Sequence, residues 1–282
     1  MRLSFSTGTF YHRSLDYSLR LARDLGFDGV ELAIGPEALY LGVAPLRRTI
    51  EQVGLPVLSV HPPFVRLLGW PRWPSQRLPR LMTLARGLGA ELGITHTMNF
   101  YDPDSARNAH FSQAIRMGLA AGGGQVALTI ENSQYNRRRR MAYLDHLRRL
   151  VNYAQTRGCG ITFDTCHAGA CHEDLLRDYD LVRPLLRNVH LNDLVWRNGQ
   201  PRTHTIPGEG ALPLWELLAR LARDEYAGLV TVELHPREVG LLSRTRAEQA
   251  LGRSLAFMRA AIAEATPTDS TPSSEQQTIE QV

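Results

Sequence analysis

Short apolar runs bounded by turn residues recur along the chain, with amphipathic stretches between them. The runs at 3–6, 29–33, 57–61, 93–96, 126–131, 160–164, 188–191 and 229–234 predict eight strands. The intervening stretches carry apolar residues near i, i+3, i+4 and i+7, as at 15–25, 78–88, 141–154 and 214–222, and predict helices. Gly26, Gly54, Gly89, Gly122, Gly123, Gly124 and Gly158 stand at the joints, where a left-handed residue ends a helix before the next strand. Eight alternating units predict an α/β fold, a closed parallel (β/α)8 TIM barrel.

A length of 282 residues fits two average domains or one large barrel, and the repeat pattern selects the barrel. A single domain is expected over 1–264. Residues 265–282 are rich in Thr, Ser, Pro, Glu and Gln and are expected to form a disordered tail. There is no run of eighteen apolar residues and no basic-then-apolar leader, so a cytoplasmic protein without membrane association is expected. Cys159, Cys166 and Cys171 fall within thirteen positions but lack CxxC spacing, and are read as structural or incidental.

The formal net charge is +4, and all 32 basic residues are arginine. Genome composition explains that bias most simply. An arginine-only surface nevertheless suits phosphate, because guanidinium forks bind its oxygens in pairs. A phosphorylated substrate is therefore expected, with nucleic acid a further candidate; a sugar-containing one is implied only by the resemblance described below. Nothing in the sequence sets the oligomeric state.

In such barrels the active site lies where strands end. Strand two ends near Glu31, strand three at His61, four at His96, five at Glu131, six at Asp164 with His167 just beyond, seven at His190 and eight at Glu233. Carboxylates and imidazoles aimed at one low-dielectric axis are costly unless a cation neutralises them. Their oxygen and nitrogen donors suit Zn²⁺, Mn²⁺ or Fe²⁺ better than Mg²⁺, and the lack of cysteine among them argues against a purely structural zinc. A lone strand-end His can instead be hydrogen-bonded core, and a lone Glu can close a salt bridge. Jointly the pattern predicts ligation by Glu131, Asp164, His190 and Glu233, and by His61 and His96; for Glu31 the rival role is pairing with an arginine.

Phe64, Trp70, Trp73 and Tyr135 follow strand ends, where they can stack on a sugar or base or simply cap the barrel mouth. The proline-rich loop at 62–74 reads as a lid or substrate wall. The run from Arg137 to Arg140 reads as a nucleic acid contact or a solvated helix start.

Four segments carry a family resemblance: Phe163-Asp-Thr-Cys-His-Ala168, Val189-His-Leu-Asn-Asp193, Ile130-Glu-Asn132 and Gly208-Glu-Gly210. In this order they resemble motifs of the xylose isomerase-like barrel superfamily that includes endonuclease IV, the family-two abasic-site endonucleases. The resemblance implies that His61, His96 and Glu131 hold one metal, and that Glu131, Asp164, His190 and Glu233 hold a second, with Glu131 bridging. His167 and His204 match two ligands of a third metal. Arg202 stands where that family has the remaining aspartate, which implies a lost third site or a phosphate-binding arginine. Gly29-Val-Glu-Leu32 is similar instead to the sugar isomerase and epimerase branch, which generally uses one metal.

Two mechanisms fit the ring. The first reading is a phosphoester hydrolase with two ions, zinc or manganese, activating water, and with His167 and His204 on the phosphate. The second is a single-metal sugar or sugar-phosphate isomerase or epimerase. In it Glu131 and Glu233 move a proton alpha to a carbonyl, His167 and Arg197 bind hydroxyls, and Glu31 and Phe64 line the substrate. That reading leaves His61 and His96 without a required task. A binding module with a degraded site needs an incomplete ring, and this one is complete.

Overall fold

The computed structural model of the chain describes residues 1–97, 106–133, 142–171, 174–240 and 242–265. Eight parallel strands close into a barrel: β1 (Arg2–Ser6), β2 (Gly29–Ala33), β3 (Val57–His61), β4 (Leu92–His96), β5 (Ala127–Glu131), β6 (Gly160–Asp164), β7 (Leu186–Leu191) and β10 (Leu229–Val232). Between β7 and β10 the chain inserts an antiparallel hairpin, β8 (Asp193–Arg197) and β9 (Gln200–Thr205). The neighbours β1 and β10 pair in register from Arg2 opposite Leu229 to Phe5 opposite Val232, which leaves no free edge.

The helices lie between strands and follow the apolar periodicity. In Leu15–Leu25, Leu15, Leu19 and Ala22 are buried at helical spacing. The Ser14 hydroxyl accepts from the Tyr17 amide at its start, and Gly26, at φ 86°, donates to the Ala22 and Arg23 carbonyls at its end. The helices expected at 78–88, 141–154 and 214–222 appear as Pro74–Leu88, Tyr143–Arg157 and Leu214–Arg223. The last helix, Arg244–Ala265, includes the residue with which the expected tail begins; 266–282 lie outside the described residues. Among the described residues no helix is long and apolar enough to cross a membrane.

Two differences from the sequence reading bear on the site. The last barrel strand stops at Val232, so Glu233 stands one residue past it. The hairpin is not among the eight strands that the apolar runs predict. Its turn is Asn198-Gly199, with φ of 49° and 71°, the positive pair that a two-residue hairpin turn requires.

Strand alternation builds the interior in layers. A lower layer is small and polar: Ser4 Oγ lies 2.9 Å from Thr231 Oγ1, Thr231 donates to Asn188 Oδ1 at 2.9 Å, and Thr129 Oγ1 lies 2.7 Å from Thr162 Oγ1. Two residues further along the same strands come Ser6, Glu131, Asp164, His190 and Glu233. The period of two thus sets the chemistry-bearing residues on one level above a hydrogen-bonded floor.

Candidate metal centre

Glu131 ends β5, Asp164 ends β6, His190 is the penultimate residue of β7 and Glu233 follows β10. One donor atom from each falls within 4.8 Å of the others. His190 Nδ1 is 3.0 Å from Glu233 Oε2, 3.5 Å from Glu131 Oε1 and 3.9 Å from Asp164 Oδ2. His190 Nε2–H donates to Glu31 Oε2 at 3.2 Å, which leaves Nδ1 facing the three carboxylates with no hydrogen-bond partner. A fully buried ring nitrogen aimed into three carboxylates is a donor set that fits a divalent cation. Burial works against the charged imidazole, but Glu31, Glu233 and Glu131 outweigh it and hold the His190 pKa well above its usual value. Burial likewise opposes the Glu131 carboxylate, and His190 and His96 overcome it, holding Glu131 well below the usual carboxylate range.

A second group adjoins the first through Glu131. His61 Nε2 lies 3.4 Å and His96 Nε2 3.6 Å from Glu131 Oε2. His61 Nδ1–H donates to the Pro62 carbonyl at 2.7 Å, so Nε2 is the nitrogen free to ligate. Asp164, Cys166, His167 and His204 form a third group. Cys166 Sγ is 3.5 Å from His204 Nδ1, and His204 Nε2 is 3.8 Å from Asp164 Oδ2. The cysteine read as incidental therefore stands among candidate donors, although burial and the nearby Asp164 raise its thiol pKa well above normal.

The motif asparagines, absent from the expected site list, position Asp164. Asn132 accepts from the Asp164 amide at 2.7 Å and donates to the Asp164 carbonyl at 3.0 Å; Asn192 Nδ2 donates to Asp164 Oδ2 at 3.1 Å. The Asp164 Oδ1 also caps the short helix Thr165–Gly169 by accepting from the His167 amide at 2.8 Å. Asp193 is architectural: its carboxylate accepts from the Leu194, Gly208, Gly210 and Leu212 amides and so fixes the Gly-Glu-Gly turn.

Several expected roles change. Glu31 pairs with His190 rather than with an arginine: it is fully buried behind that ring, and Ser59 Oγ donates to it at 2.9 Å. The Arg202 guanidinium is paired with Glu238. Arg197 is exposed at the hairpin turn, opposite Gln200. Phe64 stacks on His61 with centroids 4.5 Å apart and planes at 14°. Trp70 lies under Arg80, and Trp73 is largely exposed. Tyr135 and the run from Arg137 to Arg140 lie outside the described residues.

A family model described as xylose isomerase-like TIM barrel matches residues 19–261. The chain belongs to the xylose isomerase-like TIM barrel family. Among its relatives in that family, a fructoselysine 3-epimerase of Escherichia coli O157:H7 is 25% identical, covering 78% of this chain and 85% of that protein. An uncharacterised protein of Mycobacterium leprae is 26% identical over 92% of this chain and 97% of its own. A 3-keto-D-glucoside 4-epimerase of E. coli shares the barrel with a TM-score of 0.69 at 19% identity, over 92% of this chain and 99% of that one. A D-psicose 3-epimerase of Clostridium cellulolyticum H10, solved with D-tagatose, has a TM-score of 0.69 at 15% identity, over 93% and 99%. The sequence relatives that carry an activity in their names are fructoselysine 3-epimerases, while the solved structures include a probable 3-DHS dehydratase beside the sugar epimerases; this favours the second sequence reading and leaves the hydrolase without support.

Proposed function

We propose that the chain is a divalent-metal sugar isomerase or epimerase, in which Glu131, Asp164, His190 and Glu233 hold one metal. The observation that carries this is the complete donor ring around the unpartnered His190 Nδ1, in a chain whose named relative at 25% identity is a fructoselysine 3-epimerase. A bound cation supplies Lewis-acid polarisation of a carbonyl and its neighbouring hydroxyl.

The chain's own residues do the rest. Glu131 and Glu233 come from β5 and β10, which have β6 and β7 between them, so they approach a substrate from opposite sides. One carboxylate removes the proton alpha to the carbonyl, and the other, itself protonated from solvent, delivers its proton to the opposite face, as epimerisation requires. His167 Nδ1–H donates to the Asn132 carbonyl at 3.0 Å, leaving Nε2 to hold a substrate oxygen. Phe64, lying over His61, forms an apolar wall that keeps water from the reacting carbon.

The test is incubation with Mn²⁺ or Co²⁺ and a panel of D-fructose, D-psicose and D-tagatose in D₂O. Interconversion with one solvent deuteron at the inverted carbon is the expected result. Cleavage of bis-p-nitrophenyl phosphate or abasic DNA, without ketose interconversion, would overturn it. Two-metal phosphoester hydrolysis remains the second reading because of one observation, the His61, His96 and Glu131 group beside the ring.

A further inference from the structure

Residues 62–90 contain five arginines and no aspartate or glutamate. Arg80 is used internally, donating to the Gly69 carbonyl at 3.1 Å and to the Leu39 carbonyl at 3.5 Å. Arg66, Arg72 and Arg77 line a cavity of about 580 Å³ together with Phe64, Trp70 and His96, a size within the range of small-molecule sites. Arg77 gives its Nε–H to the Pro71 carbonyl at 2.5 Å and keeps its terminal nitrogens. Among the described residues none of these three arginines has an acidic partner. Elsewhere on the surface Arg20, Arg220, Arg244 and Arg253 each face an aspartate or glutamate. Three exposed guanidinium groups line this one cavity, and their forks match paired oxyanion oxygens.

The cavity adjoins the His61, His96 and Glu131 group: His96 lines it while its Nε2 sits 3.6 Å from Glu131 Oε2. Phe64 anchors the near end by stacking on His61, in space that Gly8 leaves clear: a Cβ on Gly8 would fall 2.0 Å from the Phe64 ring.

We infer that this cavity binds the anionic terminal group, phosphate or carboxylate, of an open-chain sugar whose carbonyl end reaches Glu131 and Glu233. The oxyanion site stands by itself; only its coupling to a ketose rests on the isomerase reading. The full-length metal-loaded protein is titrated calorimetrically with inorganic phosphate and, separately, with gluconate. The same is done for the double variant Arg66→Gln/Arg72→Gln and for Arg253→Gln as a remote charge control. Loss of charge-assisted hydrogen bonds should weaken binding in the double variant by about tenfold or more, with Arg253→Gln unchanged. The stronger of the two probes identifies the anion class. In parallel, kcat/KM is compared for a hexulose, its terminal phosphate and the matching ketouronate; the anionic form should be preferred, and the double variant should lose that preference. Equal affinity for both probes in the wild type and the double variant overturns the site, as does equal turnover of neutral and anionic sugars by the wild type. Weakened binding in the double variant with no ketose turnover by any form leaves the anion site standing and removes the isomerase reading.

Discussion

Glu31 Oε2 lies 3.2 Å from His190 Nε2, on the side of the imidazole opposite the three carboxylates that face Nδ1. The hydrogen bond fixes which nitrogen carries the proton and therefore which one meets a cation. On the proposed metal centre it would also raise the basicity of Nδ1, as carboxylate partners of metal-bound histidines do. Ser59 holds Glu31 in turn. Glu31→Ala should lower Mn²⁺ affinity by about 10- to 100-fold, with Glu31→Gln between it and the wild type. Calorimetric titration checks this, with circular dichroism confirming the fold. Unchanged affinity in Glu31→Ala would show that His190 needs no partner behind it.

Asn132 links β5 to β6 through both the amide and the carbonyl of Asp164 and also donates to Tyr143 Oη at 3.0 Å. Asn132→Ala leaves two buried backbone groups of Asp164 without these partners, and should cost about 1–3 kcal/mol per unsatisfied group at most. Urea unfolding of the metal-free protein measures the loss. A variant as stable as the wild type would mean that the strand end relaxes without the asparagine.

Acid sensitivity should appear far from the site. Asp224 Oδ2 accepts from Tyr179 Oη at 2.6 Å and pairs with Arg183 Nη1 at 3.1 Å; these partners hold its pKa below the ordinary carboxylate value, burial opposing them. A carboxyl whose pKa is lower in the folded state stabilises the fold fully above its unfolded pKa, about 3.9. The contribution fades as the pH falls through the folded value. Asp224→Ala should therefore be less stable than wild type by about 1 kcal/mol at pH 7, with the difference shrinking toward pH 3. Thermal melts at both pH values test this; a difference that grows on acidification contradicts it.

The barrel was legible because each strand is a short apolar run and each helix has an apolar stripe. The cluster of candidate donors was legible because strand alternation carries these polar side chains to the strand ends. What escaped the sequence depends on contacts between distant segments. Glu31 reads as a ligand or substrate contact until the β2–β3 register shift between Val30 and Glu31 sets it opposite Ser59 and behind His190. Cys166 joins His204 only through the hairpin, whose second strand, Gln200–Thr205, is too polar to register as an apolar run. The Asn198-Gly199 turn was the available signal. Asn132 and Asn192 sit inside motifs that were read, yet their work is to orient Asp164, which spacing alone does not reveal.

The central claim is that Glu131, Asp164, His190 and Glu233 hold a divalent cation, and Glu233 is the ligand to remove, since it lies beyond its strand at the barrel mouth. Mn²⁺ titration followed by electron paramagnetic resonance counts the tightly bound ions in wild type and in Glu233→Gln. One tight ion per chain, lost or greatly weakened in the variant, is the predicted result. A wild-type protein with no tight site, or a variant that binds as the wild type does, would contradict the account.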